Sequence, residues 1–352
     1  MKNAEDLYKH GGNIYEISSR YRRDIIDFSA NINPWGIPFL TRRLLRQKLN
    51  ALVHYPDPDS QSLKAVIADY WKIKEENILV GNGSTELIYL IFNAFRPAVV
   101  ALPVPSFTEY ERAAMLVKSK ISFVRLYAEE EFCLDCSRID NSDMVFLCNP
   151  NNPTGNLLIK NCADIKSILA KRIVIDEAFM DFVRNEDEYT FVTEAIRSKG
   201  VIVVRTFTKF FALPGLRAGY IIAHKDTICG LKKYQMPWTV NVLAQAASQR
   251  ALSENAFIQR SKEFIAKESS FLYKRLGRIK GLKPYPSAAN FLLVKIEHKH
   301  ITSSCLKERL LKKGFFVRDC ANFRGLDKQF IRVAVRTRKE NMQLAQALEE
   351  CV

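Results

Sequence analysis

The chain has 352 residues, 47% hydrophobic and 26% charged, which excludes a disordered or low-complexity polypeptide and leaves room for a large domain with a smaller one. No run approaches the roughly 18 apolar residues of a membrane span, and the polar stretch before His10 does not read as a secretory signal, so a cytoplasmic protein is expected. A net charge of +15 suits nucleic acid or an anionic small molecule, but the 53 Lys and Arg are spread along the chain without an arginine-rich tail or a recognisable nucleic-acid module.

The eight cysteines are scattered, and Cys133-x-x-Cys136 has no second pair at zinc spacing. Reduced thiols and no metal site are expected.

Taken in order, the chain first shows His10-Gly11-Gly12-Asn13 and then Asp27-Phe28-Ser29-Ala30-Asn31-Ile32-Asn33-Pro34. The adjacent glycines suggest close backbone approach, and the second piece has asparagine turn chemistry. A helix is predicted over 40–52, then a proline-stiffened loop at His54-Tyr55-Pro56-Asp57-Pro58. A helix over 62–71 leads to a short buried strand at 78–80, followed by Gly81-Asn82-Gly83-Ser84-Thr85-Glu86 and an apolar helix over 87–95. Glycines between a strand and a helix start expose N–H groups at the positive end of the helix dipole, which makes a phosphate cradle; many such turns, however, use glycine only for φ > 0.

The next strand, 99–102, ends before Phe107, whose ring could stack on a planar ligand or simply pack in the core. Strands at 144–148, 173–175 and 201–204 follow. They run respectively into Asn149-Pro150-Asn151-Asn152-Pro153-Thr154-Gly155, into Asp176-Glu177, and into Thr206, Thr208, Lys209 and Arg217. A lysine just past a buried strand, with hydroxyls and an arginine nearby, suits a cofactor with an aldehyde and a phosphate, although a lone lysine there is more often a surface residue.

Strands alternating with helices over 60–222 predict an α/β fold with a mostly parallel, doubly wound sheet. Gly83-Ser84-Thr85, Phe107, Asn152, Asp176 and Lys209 all fall just past strand ends, the edge where such sheets bind ligands. Beyond Trp238 a long helix over 244–275, strands at 291–296 and 330–335, and helices over 302–313 and 339–350 predict a smaller α+β domain. The expected division is 1–39, joining the small domain, 40–240, the large domain, and 241–352, the small one.

With these pieces in place, the sequence resembles the fold-type-I pyridoxal-phosphate enzymes. NPNNPTG at 149–155, DEAF at 176–179 and TFTKFFALPGLRAGY at 206–220 occur in that family's order, and the likeness spans essentially the whole chain. The resemblance implies an aminotransferase-like fold, pyridoxal 5'-phosphate as cofactor, and Lys209 as the Schiff-base lysine. It implies Asp176 on the ring nitrogen, Asn152 on the ring's phenolic oxygen and Phe107 stacked on the ring. Ser84, Thr85, Thr206, Thr208 and Arg217 would hold the phosphate, with Tyr55 of a second subunit in a homodimer, and Arg332 would clamp a substrate carboxylate.

Within that superfamily the chain looks like histidinol-phosphate aminotransferase and threonine-phosphate decarboxylase. HGGN at 10–13, DFSANINP at 27–34 and RDCANFRGL at 318–326 resemble the decarboxylase and imply His10, Asn31, Arg318 and Arg324 as substrate ligands. Phe179 stands where transaminases of this group carry a tyrosine. The resemblance implies decarboxylation of L-threonine O-3-phosphate or L-serine O-phosphate for the cobamide side chain. Transamination of a phosphorylated substrate such as histidinol phosphate is the alternative. Lys209, Asp176 and Arg332 together argue against a non-catalytic regulator on the same fold.

Overall fold

The computed structural model describes residues 10–21, 24–139 and 141–352; the sequence reading of the first nine residues lies outside them. In chain order the strands are β1 (Ile26–Asp27), β2 (Ile78–Gly81), β3 (Val99–Val104), β4 (Lys120–Arg125), β5 (Ser142–Cys148), β6 (Ala170–Asp176), β7 (Val201–Thr206), β8 (Gly219–Ile222), β9 (Leu282–Pro284), β10 (Phe291–Ile296), β11 (Phe315–Phe316), β12 (Arg318–Asp319) and β13 (Phe330–Ala334).

Seven of them form one sheet in the order β2-β8-β7-β6-β5-β3-β4. All neighbours are parallel except β8, which runs antiparallel to β2 and β7. The near-continuous apolar runs of β5 and β7 follow from burial on both faces. Alternation then sorts the side chains. Val145, Leu147, Ile173, Ile175, Val201 and Val203 face one core, while Met144, Phe146, Val174, Ile202 and Val204 face the other. The second core is closed by the helices Gly83–Phe95 and Thr108–Leu116. The first is continuous with Phe291, Leu292, Val294, Ile331 and Val333, so the two larger sheets share it.

The second sheet is antiparallel, in the order β12-β13-β10-β9. Beside it β1 pairs in parallel with β11, which ties the N-terminal segment to the C-terminal third of the chain. The helix predicted over 244–275 is two helices, Val242–Leu252 and Asn255–Leu276. At the break the Glu254 carboxylate accepts from Thr41 N at 2.8 Å, Thr41 Oγ1 at 2.7 Å and Leu40 N at 3.2 Å. It thereby satisfies N–H groups in the first turn of the helix Phe39–Gln47. A hydrophobic period cannot register such a junction. Among the described residues no helix is long and apolar enough to cross a membrane, and no cluster of potential metal ligands occurs.

Candidate active site

The C-terminal ends of β2, β3, β5, β6 and β7 lie on one edge of the large sheet, where they border a cavity of about 180 Å³. Ser84 and Thr85, in the first turn of the helix Gly83–Phe95, form one wall with Thr208 and Arg217. The helix has no side-chain cap, so its first N–H groups are left for a ligand. Gly83 is favoured here by its φ of +79°, and a Cβ would sit 2.6 Å from Arg217 Nη2, so a larger residue would also displace the guanidinium from the cradle. A Cβ on Gly219 would sit 2.9 Å from Ser84 N, so β8 also approaches the cradle as bare backbone.

Lys209 lies on the cavity floor just past β7. Burial, with Arg332 and Arg217 nearby, brings its amine down to about 8, while Asp176 acts in the other direction. The unprotonated, nucleophilic form is therefore accessible near neutral pH. At the end of β6, buried Asp176 accepts from Tyr110 Oη at 2.7 Å and from Ala178 N at 3.0 Å. Desolvation raises its carboxyl to about 6, against these hydrogen bonds. The Phe107 and Phe179 rings also line the cavity, with Phe179 braced edge-on against Phe291 at 5.0 Å.

Opposite, Arg332 on β13 donates to Asn152 Oδ1 and, at 2.7 Å, to the Ser29 carbonyl. Its Nε is buried without a hydrogen-bond partner. Arg318 on β12 is directly paired with Arg332, so the two guanidiniums project from the same face of the small sheet. Burial, and the repulsion between them, brings Arg332 down to about 10, still cationic at neutral pH. Asn31 also lines the cavity, with a buried Oδ1 that has no partner. His10, at the mouth, is held by Glu109 at 2.7 Å and lies 5.4 Å from the Phe107 ring. Beyond His10 and Arg318 a more open depression of about 860 Å³ adjoins the cavity, but neither Lys209 nor Asp176 reaches it.

Three predicted residues lie elsewhere. Arg324 does not reach the cavity: it makes a two-pronged contact with Glu111, at 3.1 and 2.6 Å, and lies over the Phe123 ring at 4.2 Å. The sequence spacing could not show this, because the turn after Arg318 carries Phe323 inward and Arg324 outward. The hydroxyl of Thr206 lies behind the cavity wall, donating to the Ala218 carbonyl at 3.1 Å and lying 3.0 Å from Thr208 Oγ1. Tyr55 is 84% exposed and packs on Trp238, away from the cavity of its own chain. Tyr110 carries no site signal in the sequence, because it lies within the helix Thr108–Leu116 and not, like Phe107, just past a strand end.

The surviving constellation fits pyridoxal phosphate. An amine, a helix N-terminus with an arginine for a phosphate, an aromatic wall and a buried carboxylate surround one small cavity. The unpartnered Asn31 Oδ1 and Arg332 Nε are polar groups that a bound molecule would satisfy.

Comparison with known proteins agrees. Residues 23–348 match the family model described as aminotransferase class I and II. Threonine-phosphate decarboxylase of Salmonella typhimurium is 35% identical, over 96% of this chain and 95% of that protein. Histidinol-phosphate aminotransferase of Methanocaldococcus jannaschii is 32% identical, over 98% and 95%. The crystal structure of L-threonine-O-3-phosphate decarboxylase from Porphyromonas gingivalis superposes with a TM-score of 0.83 at 30% identity, covering 93% of this chain and 99% of that one. On this fold, this cavity and this match, the chain belongs to the class I and II aminotransferase family.

Proposed function

We propose that the protein is a pyridoxal-phosphate-dependent carboxy-lyase. It would convert L-threonine O-3-phosphate, or L-serine O-phosphate, to the corresponding amino-alcohol phosphate and carbon dioxide, a reaction of cobamide side-chain synthesis. The observation that carries the reading is the buried pair Arg318 and Arg332, directly opposite each other across β12 and β13 beside Lys209. Two adjacent, buried guanidiniums lining one cavity call for a substrate with two anionic groups, here a carboxylate and a phosphate. The 35% identity to a threonine-phosphate decarboxylase supports the same choice.

When bound, the cofactor supplies an electron sink for the pair left by the departing carboxylate. The chain supplies the rest. Ser84, Thr85, Thr208 and Arg217 hold the cofactor phosphate, Asp176 pairs with the ring nitrogen, and Asn152 bonds the ring oxygen. Arg332, whose Nε has no protein partner, orients the substrate carboxylate, while Arg318, His10 and the amide N–H of Asn31 anchor the phosphate. Lys209 Nζ returns a proton to the carbon that lost the carboxylate. Phe179 brings no hydroxyl to the site, whereas a transaminase of this group would have a phenol.

The active unit in this reading is a cytoplasmic homodimer. Phe39, Val53, Tyr55, Met236 and Trp238 are exposed large apolar side chains, and two of them, Tyr55 and Trp238, pack on each other with ring centres 5.3 Å apart. Covering them with a second copy would bring Tyr55 to its partner's cofactor phosphate.

The test is incubation with threonine phosphate or serine phosphate and no oxo acid. Carbon dioxide and an amino-alcohol phosphate should accumulate. Turnover that requires an oxo acid and yields a phosphorylated oxo compound would make the protein a transaminase.

A further inference from the structure

Tyr110 has no part in the roles assigned above, yet the fold fixes it with unusual care. It is 1% exposed and sits in the first turn of the helix Thr108–Leu116. Its ring is stacked on Phe146 at 4.4 Å and edge-on to Phe107 at 5.6 Å, the side chain expected to cover the cofactor. Held from both sides, the ring presents its hydroxyl to Asp176 Oδ2 at 2.7 Å, while Ala178 N–H occupies the other carboxylate oxygen at 3.0 Å.

We propose that Tyr110 is a positioning residue, which keeps the Asp176 carboxylate ionised and aimed at the ring nitrogen and thereby sets the pH range over which the cofactor is held. The inference rests on the cofactor reading but not on the choice between decarboxylation and transamination.

The physical argument starts from burial. A carboxylate taken out of water reverts to its neutral acid unless donors or positive charges hold the ionised form. The groups facing Asp176 are Tyr110 from its helix, Cys148 from β5 and Lys209 after β7, with Arg217 and Arg332 beyond Lys209. Cys148 is itself pushed up by burial and brings no positive charge. Apart from the Ala178 backbone, Tyr110 is thus the neutral donor to this carboxylate, with its hydroxyl also meeting the Cys148 thiol. A neutral carboxylic acid would present a proton to a protonated ring nitrogen, and the attraction would become a clash of donors. With Asp176 near 6, ionisation is nearly complete at neutral pH, and losing one of two donors would bring its titration into the working range.

The sign of the effect follows. Cofactor affinity should fall as pH drops through the Asp176 titration, and removing the Tyr110 donor should move that fall to higher pH. The experiment measures the dissociation constant of pyridoxal phosphate for the apoenzyme by absorbance from about pH 5 to about pH 9, with Tyr110→Phe and with ortho-fluorotyrosine incorporated at the same position. Tyr110→Phe should stay within about threefold of wild type at the alkaline end, lose about fivefold near pH 6 and about tenfold near pH 5, and show its midpoint about one unit higher. Fluorotyrosine, a stronger donor in the same ring, should move the midpoint the other way, and it covers the case in which the phenylalanine variant does not fold. A midpoint unmoved by either change, or a loss equal at every pH, would overturn the inference while leaving the cofactor reading intact. Failure of the wild-type protein to form any borohydride-fixed adduct on Lys209 would instead overturn the cofactor reading, and this inference with it.

Discussion

Replacing Arg318 with Ala separates recognition of the phosphate from everything else in the site. Arg318 is 8% exposed, donates to Asn322 Oδ1 at 2.7 Å, and has its guanidinium 5.1 Å from the centre of the Phe323 ring. An anion bound to it is therefore largely removed from water, and losing one partner of a buried, charge-assisted pair costs about 2–5 kcal/mol. Arg332, directly opposite on β13 and still cationic, continues to attract the anion, which favours the lower part of that range. The expected loss in kcat/KM for threonine phosphate is then about 30- to 150-fold, at 1.36 kcal/mol per factor of ten. Threonine without its phosphate, a far poorer substrate at the outset, should change by less than about threefold, within the roughly 0.5 kcal/mol of an unremarkable substitution. Arg332→Ala should depress both substrates, because both carry the carboxylate. Arg324→Ala provides the internal control, since that side chain is engaged with Glu111 outside the cavity and should leave the preference between substrates unchanged. Carbon dioxide release measured on both substrates decides the matter. Equal losses on the two, or a loss of preference in Arg324→Ala as large as in Arg318→Ala, would refute the reasoning.

Lys209→Ala should abolish turnover, and borohydride reduction of the wild-type protein should attach the cofactor at Lys209; a label mapped to any other lysine would contradict its role. Because the Lys209 amine titrates near 8, the rate at which apoenzyme captures the cofactor should fall as pH drops through that value, since the protonated amine is not a nucleophile. A rate flat across this window would mean that another group limits capture. Sedimentation should show a dimer at working concentration, and Tyr55→Ala should weaken cofactor binding without dissociating it; an active monomer would remove the basis for Tyr55.

The part of the site that the sequence displays is the part carried by strand ends. Asn152, Asp176 and Lys209 each follow an apolar run, and a parallel sheet must bring such positions to one edge, so their convergence is legible before any coordinates. What escapes notice depends on pairs distant in the chain. The Tyr110–Asp176 bond joins positions 66 apart, and the Glu254 cap on Thr41 joins positions 213 apart. Hydrophobic periodicity reports one face of one element and holds no information about either. Arg324 escaped for a different reason. Its neighbours Arg318 and Phe323 reach the cavity, and one further residue around a tight turn reverses the direction of the side chain. Short strands such as β11 and β12, of two residues each, lie below the length at which alternation can be seen at all.

The adjacent acids Asp176 and Glu177 show how the same backbone serves chemistry on one side and rigidity on the other. Asp176 ends β6 facing the cavity, so Glu177 points away from it, into a buried network. There Glu177 meets Arg205 at 2.8 Å, Arg205 meets Asp181 at 3.1 Å, and Lys262 meets Glu186 at 3.2 Å. Arg205 directly precedes Thr206 and is fully buried, its guanidinium 4.6 Å from the centre of the Trp71 ring. Removing one partner from such a network leaves an uncompensated charge in the interior, at about 3–5 kcal/mol. The segment carrying Asp176 is therefore held from behind by Glu177, and the segment carrying Thr208 and Lys209 by Arg205. Since the two segments are joined through the Glu177–Arg205 pair, the carboxylate and the amine keep their spacing through a contact that touches neither of them. Three carboxylates against two cations leave the network one negative charge in excess, and burial, with the Glu186 and Glu177 carboxylates beside it, pushes the Asp181 carboxyl up. The proton that Asp181 takes up on acidification lies on the far side of β6, apart from the titration of Asp176 and Lys209. The chemistry in the cavity can respond to pH through its own two groups while the frame behind it balances its charge separately.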